Sequence, residues 1–217
     1  RSLSMDAIDQ MLGARSSRIP TPIFVDLFAG LCGASEPFVE AGWEVVRVEI
    51  DPSLLARAVC PAGPHVHHVA ADARTWSWSR WSDTIPHLRG RRPTVIWASP
   101  PCTEFSREDM PWCRTGKIPS IELVLAADRI IRDARPRFWL VENVKGATKH
   151  LDPLFGRWKA HLGPVFLWGE FPQLPKLVIP PWKERLSSAR KAERAKIPRA
   201  ISDALLAVVT EALVEDL

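Results

Sequence analysis

The sequence predicts an α/β fold: a mostly parallel sheet with helices on both faces. Three observations carry that reading. Short runs rich in β-forming residues alternate with segments of helical spacing, which is the pattern of βαβ units. The first run, PIFVDLF (22–28), ends at a glycine loop that opens a helical stretch. An acid, Glu49, follows the loop by about 20 residues, at the end of the next run. A length of 217 residues fits one such domain, here 1–217, or one domain with small additions.

Taken in order, residues 5–14 read as a short amphipathic helix, with Met5 as the expected natural start. After the first strand, 34–41 read as a helix closed by Gly42. WEVVRVEI (43–50) is a second strand. Pro52 opens a helix to about Cys60, since a first-turn proline is pre-set for helix. HVHHVA (65–70) and TVIWAS (94–99) are the third and fourth strands. Residues 120–134 place Ile121, Val124, Leu125, Ile130 and Ile131 at helical spacing, with Ser120 near the cap. RFWLVEN (137–143) is the fifth strand. PVFLWG (164–169) and KLVI (176–179) read as a closing hairpin, and Pro198 to about Val214 as an amphipathic helix.

Composition narrows the classes. Hydrophobic residues make up 46% and charged residues 25%, which excludes a disordered chain. No apolar stretch reaches the ~18 residues of a membrane span. The N-terminus lacks the layout of a secretory signal, so a cytoplasmic, nucleoid-associated protein is expected. A net charge of +4 permits a polyanionic partner without requiring one. Cys32, Cys60, Cys102 and Cys113 show neither CxxC pairs nor zinc spacing and read as reduced thiols. His65, His67 and His68 cluster tightly, but no Cys or acid stands at ligand spacing, and no metal is expected. Trp76, Trp78 and Trp81 read as packing residues under a helix.

Parallel sheets bind ligands outside the carboxyl ends of their strands, and four constellations fall there. In VDLFAGLCGAS (25–35), Gly30 and Gly33 allow a tight turn and close approach to a ligand. Glu49, or Asp51 two residues on, suits hydrogen bonds from ribose hydroxyls. Asp72, after the third strand, either accepts from an adenine amino group or caps its own loop. Finally, WASPPCTEFS (97–106) stiffens the backbone at Pro100 and Pro101 just before Cys102. VENVKG (141–146) brings Glu142 to the end of the neighbouring strand. A thiol and a carboxyl on one rim point to a nucleophile and an acid. Thr103, Glu104 and Ser106 suit an exposed loop.

DLFAGLCG, VEIDP, SPPCTEFS and VENVKG, in that order, resemble the motifs of the cytosine-carbon-5 DNA methyltransferases over residues 22–150. AKIPRAISDALLAVV resembles the last motif of that family weakly. The resemblance implies a Rossmann-like, S-adenosylmethionine-dependent methyltransferase fold, with S-adenosylhomocysteine as product. The cofactor would be held by Asp26, Phe28, Ala29, Gly30, Gly33, Ile50, Ala73 and Pro100, with Glu49 on its ribose and Asp72 on its adenine. Pro101 and Cys102 match the catalytic pair, Glu142 the motif glutamate, and Asn143 would hold the cysteine loop. DNA is the implied partner, met by Ser106 and Arg107 in a loop running from 103 to about 119, with the target base out of its stack.

The sequence departs from the family in three places. The Gln-x-Arg-x-Arg motif is reduced to Pro172-Gln173 in GEFPQLPKLVI, with Lys176 or Arg157 as possible substitutes for its arginines. No large recognition domain fits: 151–182 is a truncated recognition region, and 183–217 a basic segment and helix. Lys183, Arg185, Arg190, Lys191 and Arg194 would contact phosphates, or a recognition subunit or second copy would supply specificity. Lys196 stands where the last motif is altered, which admits a cofactor that transfers a carboxylated methyl group. The same chemistry on RNA or a free cytosine nucleotide, and a non-catalytic subunit of a split methyltransferase, are the alternative readings. The missing recognition domain points to restriction-modification or phage use.

Overall fold

The computed structural model describes residues 20–109, 118–179 and 196–216. The amphipathic stretch expected at 5–14 and the basic residues Lys183, Arg185, Arg190, Lys191 and Arg194 lie outside them, as does the side chain of Arg107.

The chain runs β1 (Ile23–Leu27), α1 (Glu36–Glu40), β2 (Glu44–Glu49), α2 (Pro52–Leu55), β3 (Val66–Ala70), α3 (Trp78–Ser82), β4 (Val95–Ala98), α4 (Thr103–Asp109), α5 (Glu122–Ala134) and β5 (Phe138–Asn143). A 3-10 turn (Lys145–Ala147), α6 (Thr148–Phe155), β6 (Ala160–Leu162), β7 (Val165–Glu170) and α7 (Arg199–Glu215) complete it. The seven-stranded sheet has the order β3-β2-β1-β4-β5-β7-β6. Neighbours among β1 to β5 are parallel, and β7 runs antiparallel to both β5 and β6. The order reverses between β1 and β4, which opens a crevice at their carboxyl ends.

Strands buried on both faces must read as continuous apolar runs. VIWA does so and IFVDL does apart from Asp26, and every residue of each is buried. The two-residue period splits them between two cores. Ile23, Val25 and Leu27 face α5 through Ala127, Ile130 and Ile131, in a layer that includes Trp76 and Trp78. Phe24, Val45 and Trp97 face Phe38 of α1 and Ile201, Leu205 and Val209 of α7. Of the tryptophans read as packing residues, Trp76 and Trp78 are therefore core, and Trp81 is partly buried against them.

Three elements differ from the sequence expectation. The helix opened by Pro52 stops at Leu55 rather than near Cys60. The buried Arg47 guanidinium takes the Cys60 carbonyl at 2.5 Å and draws the chain off the helical path. The stretch after Cys102 opens as helix α4, not as a loop, because Phe105 is buried in the α5-side core and anchors it. The closing hairpin pairs β7 with Ala160–Leu162 rather than with 176–179. Gly163, at φ +62°, makes its turn, while Pro172 and Pro175 keep the following segment irregular.

Gly169 holds β7 against β5. Its φ is +136°, and an added Cβ would lie 2.1 Å from the Trp139 carbonyl oxygen. Backbone, unlike a side-chain tip, cannot step aside. Gly169→Ala is expected to cost about 3 kcal/mol, from strain plus overpacking, a fall in Tm of roughly 6–12 °C. Thermal unfolding followed by circular dichroism checks it.

Candidate active site

The loop after β1 is wound tightly. Phe28, Gly30 and Cys32 have φ of 59°, 52° and 63°. Two of the three are not glycine, so the conformation stores strain that the surroundings must hold. Part of that hold is Glu49, whose Oε2 accepts from the Gly30 N–H at 2.9 Å and Oε1 from the Asp51 N–H at 3.0 Å. Asp51 is committed elsewhere: it caps α2, accepting from the Ser53 N–H at 2.9 Å. Of the two acids considered at this strand end, Glu49 is therefore the one turned to the glycine loop.

Asp26 lies beneath the loop rather than at its rim. It is buried, and burial pushes its carboxyl up to about 7, against the opposing pull of the Ser35 hydroxyl and the Arg47 guanidinium. Arg47 Nε donates to Ser35 Oγ at 2.9 Å, and Ser35 Oγ donates to the Cys32 carbonyl at 3.1 Å. The network braces the turn from below. Burial also drives the Cys32 thiol up to about 12, so it is an inert core thiol.

The last helix closes the loop from outside. A Cβ on Gly33 would stand 2.6 Å from Lys196 Cγ and 3.0 Å from the Ile197 carbonyl oxygen, so only glycine lets residues 196–197 lie there. Ser202 Oγ donates to the Gly33 carbonyl at 3.1 Å. Lys196 Nζ pairs with Glu36 at 2.8 Å and is thus neutralised by the protein itself. Ala29 is buried, and its N–H donates to the Val48 carbonyl at 3.1 Å. Ile50, beside Glu49, is 63% exposed.

Asp72 behaves as a loop cap. It accepts from the Arg74 N–H at 2.9 Å and pairs with the Arg74 guanidinium at 2.6 Å, which holds its carboxyl below the ordinary value. Ala73 is buried, and its carbonyl is held by Arg129 at 2.8 Å.

The second half of the site follows from the pairing of β4 with β5, which sets Ala98 opposite Val141. Beyond that pair Ser99 and Pro100 leave β4, while Glu142 and Asn143 continue β5 beside them, still paired with Leu167 and Phe166 of β7. Asn143 is fully buried; its Nδ2 donates to the Pro100 carbonyl at 3.0 Å and its Oδ1 accepts from the Val144 N–H at 2.9 Å. The proline bend is thereby tied to β5. Pro100 is buried, Pro101 exposed and Cys102 partly exposed. The Cys102 carbonyl accepts from the Ser106 N–H at 2.9 Å, so the cysteine opens α4, where the first-turn N–H groups favour negative charge. Burial pushes the Glu142 carboxyl up to about 7, against a hydrogen bond from Ser99. Ser99 also accepts from Trp97 Nε1 at 2.6 Å. This serine was missed in the sequence, although a lone polar residue between an apolar strand and two prolines marked it.

Residues Gln173 and Lys176 do not join this rim. Phe166, near the start of β7, pairs with Asn143, whereas Glu170 at its end pairs with Trp139. The chain therefore enters 171–176 from the opposite end of the sheet, and the Gln173 region cannot take the place proposed for the missing arginines. Arg157 lies over the Trp158 ring at 5.1 Å. The β6–β7 turn, with Gly163 and Pro164, is what stands beside Asn143.

Loss of the Asn143 tie has a defined expectation. Asn143→Ala leaves the buried Pro100 carbonyl without its donor, at a cost of about 1–3 kcal/mol. It also frees the Pro100–Cys102 bend, so any activity that depends on Cys102 falls further than stability alone explains. Activity and Tm measured on the same preparation separate the two.

Residues 23–162 match the family described as C-5 cytosine-specific DNA methylase. Among solved structures the chain is similar to a candidate DNA modification methyltransferase encoded within a prophage (E. coli), at 20% identity and a TM-score of 0.48 over 69% of this chain and 47% of that one. It is also similar to the glycopeptide N-methyltransferase MtfA complexed with S-adenosyl-L-methionine, at 17% identity and 0.37 over 62% and 49%. The CcbJ methyltransferase from Streptomyces caelestis matches at 16% identity and 0.38 over 66% and 51%. The chain thus spans about half the length of these structures. No curated protein matches it.

Proposed function

Since the chain belongs to the C-5 cytosine-specific DNA methylase family, we propose that it transfers a methyl group from S-adenosylmethionine to carbon 5 of cytosine in DNA through a covalent adduct on Cys102. The observation that carries the reading is the pair of strand ends. Cys102 is held on a proline bend tied to Asn143, and Glu142, the residue before Asn143, has its carboxyl raised to about 7.

The glycine loop fits the cofactor. A Cβ on Gly30 would meet only the Phe28 carbonyl oxygen, at 3.9 Å, so that side of the turn is open. Phe28 is half-buried and Ile50 exposed, offering apolar surface for an adenine ring, with the Glu49 carboxylate placed between them and the loop for ribose hydroxyls. Asp72 reaches an adenine amino group only by giving up part of its pairing with Arg74. Bound there, S-adenosylmethionine supplies an electrophilic methyl group. Because Glu36 already neutralises Lys196, an unmodified cofactor is favoured over a carboxylated one.

Carbon 5 of cytosine is a poor nucleophile until the ring is activated. The Cys102 thiolate adds to carbon 6, forming a carbon–sulfur bond and moving electron density toward carbon 5 and nitrogen 3. Glu142, protonated over much of the neutral range, gives its proton to nitrogen 3 and relieves the developing charge. Carbon 5 would then take the methyl group, whose bond to the cofactor's sulfur breaks to leave S-adenosylhomocysteine. The carbon-5 proton leaves to water, the carbon–sulfur bond breaks, and Glu142 recovers its proton from nitrogen 3. A base stacked in a duplex exposes neither face to Cys102, so the target enters flipped or single-stranded.

The test is label transfer from S-adenosylmethionine to single- and double-stranded DNA, followed by nucleoside mass analysis. Label in 5-methylcytosine is the expected result. Label on another base overturns the reading, and so does none with cofactor bound, which points to a subunit that needs a partner.

A further inference from the structure

A second cluster of reactive side chains lies at the other end of the sheet, where the strands begin. Glu44 opens β2, and its side chain is 2% exposed. The β2–β3 register sets Val45 against Val66 and Val46 against His67, so Glu44, His65 and His67 fall on one face. His87 reaches the same face from the segment after α3. Glu44 Oε1 lies 2.5 Å from His67 Nε2 and 3.1 Å from His87 Nε2, and Oε2 lies 3.1 Å from His65 Nδ1. The histidine cluster is visible in the sequence but its acid is not, because Glu44 stands 23 residues from His67 and 43 from His87, which is why no metal is expected from spacing alone.

We propose that Glu44, His67 and His87 form a binding site for a divalent transition-metal ion of the zinc class, with His65 orienting the carboxylate from behind. Two imidazole nitrogens and a carboxylate oxygen are the donors such an ion prefers, and they suit neither magnesium nor calcium. The three donor atoms lie within 4.8 Å of one another. Ligands around a tetrahedral zinc ion stand roughly 3.3 Å apart, so Glu44 Oε1 must draw back from His67 Nε2, at 2.5 Å, and hardly at all from His87 Nε2, at 3.1 Å. Trp81 packs edge-on against the His67 ring at 5.5 Å and fixes its plane. His87, 51% exposed, leaves a solvent side for a water ligand. Each histidine binds through a neutral nitrogen, so any proton on these Nε2 atoms passes to solvent as the ion enters. The ion would join β2, β3 and the segment after α3, away from Cys102, and would staple the fold rather than take part in transfer.

The test uses the whole chain, stripped with a chelator and titrated with Zn²⁺ against a chromophoric competitor, with thermal unfolding in parallel. One equivalent should bind and, at about 100 times its Kd, raise Tm by about 5 °C or more, while Mg²⁺ should not. His87→Ala, at a half-exposed position, and Glu44→Gln, which keeps the side-chain shape, should each weaken Zn²⁺ binding at least tenfold. Cys60→Ser and Cys102→Ser should not, which separates thiol binding, and His87→Ala should leave methyl transfer unchanged. Zn²⁺ uptake that is equal in His87→Ala and the parent, or that leaves Tm unmoved, overturns the site and leaves a hydrogen-bonded cluster around a buried carboxylate.

Discussion

Cys102→Ser is expected to lower methyl transfer by ~10⁴-fold or more, because a hydroxyl at this position is not ionised at neutral pH and adds poorly to carbon 6. The fold should be almost untouched. Cys102 is partly exposed, and serine retains the backbone carbonyl that accepts from Ser106. A Tm within about 2 °C of the parent is the accompanying expectation. DNA carrying fluorine at carbon 5 of cytosine makes the test positive rather than merely negative. Fluorine cannot leave as a proton does, so the adduct cannot eliminate after methylation. The parent protein should run as a covalent DNA complex under denaturing conditions, and Cys102→Ser should form none. A complex in the mutant would move the nucleophile elsewhere.

Glu142→Gln is expected to lower the rate by about 10²–10⁴-fold and to change the shape of the pH profile. In the parent the proton on Glu142 is lost as pH rises through about 7, so transfer should decline on that side. The glutamine variant, with no proton to lose, should not show the decline. Stability gives a separate readout. The raised carboxyl means the folded chain holds a proton that the unfolded chain releases near 4.5. Its contribution is fully present below that value and is lost as pH rises through 7. Asp26, raised to about 7 for the same reason, contributes in the same direction. The slope of Tm against pH between 5 and 8 should thus be negative in the parent, shallower in Glu142→Gln, and not abolished.

The strands were legible because parallel strands covered on both sides are mostly apolar, and IFVDL or VIWA admit few other readings even with the buried Asp26. The edge was harder. KLVI is the richer in β-forming residues and AHL, before Gly163, is poor in them, so only the turn at Gly163 and the prolines at 172 and 175 decide in favour of AHL. Helix α4 was hidden by its own start: two prolines and polar residues read as a loop, while the buried Phe105 that makes it a helix is one residue among seven. At the candidate site, motif residues close to strand ends were easy to place, since neighbouring strands bring Cys102 and Glu142 to one rim. The partners Ser99, Ile197 and Ser202 were not, because they act across the sheet or across most of the chain. The misplacement of Gln173 has the same origin: spacing along the sequence says nothing of the direction in which β7 runs.

The contact between Gly33 and the 196–202 segment constrains the order of events during synthesis. Ser202 follows Gly33 by 169 residues, so at about 5–20 residues per second the ribosome reaches it roughly 8–34 s after the glycine loop has been made. Until then the strained turn lacks its outer brace and the nascent chain waits in a partly assembled state. Ligand binding at that loop therefore waits on synthesis of α7 and not on closure of the sheet alone.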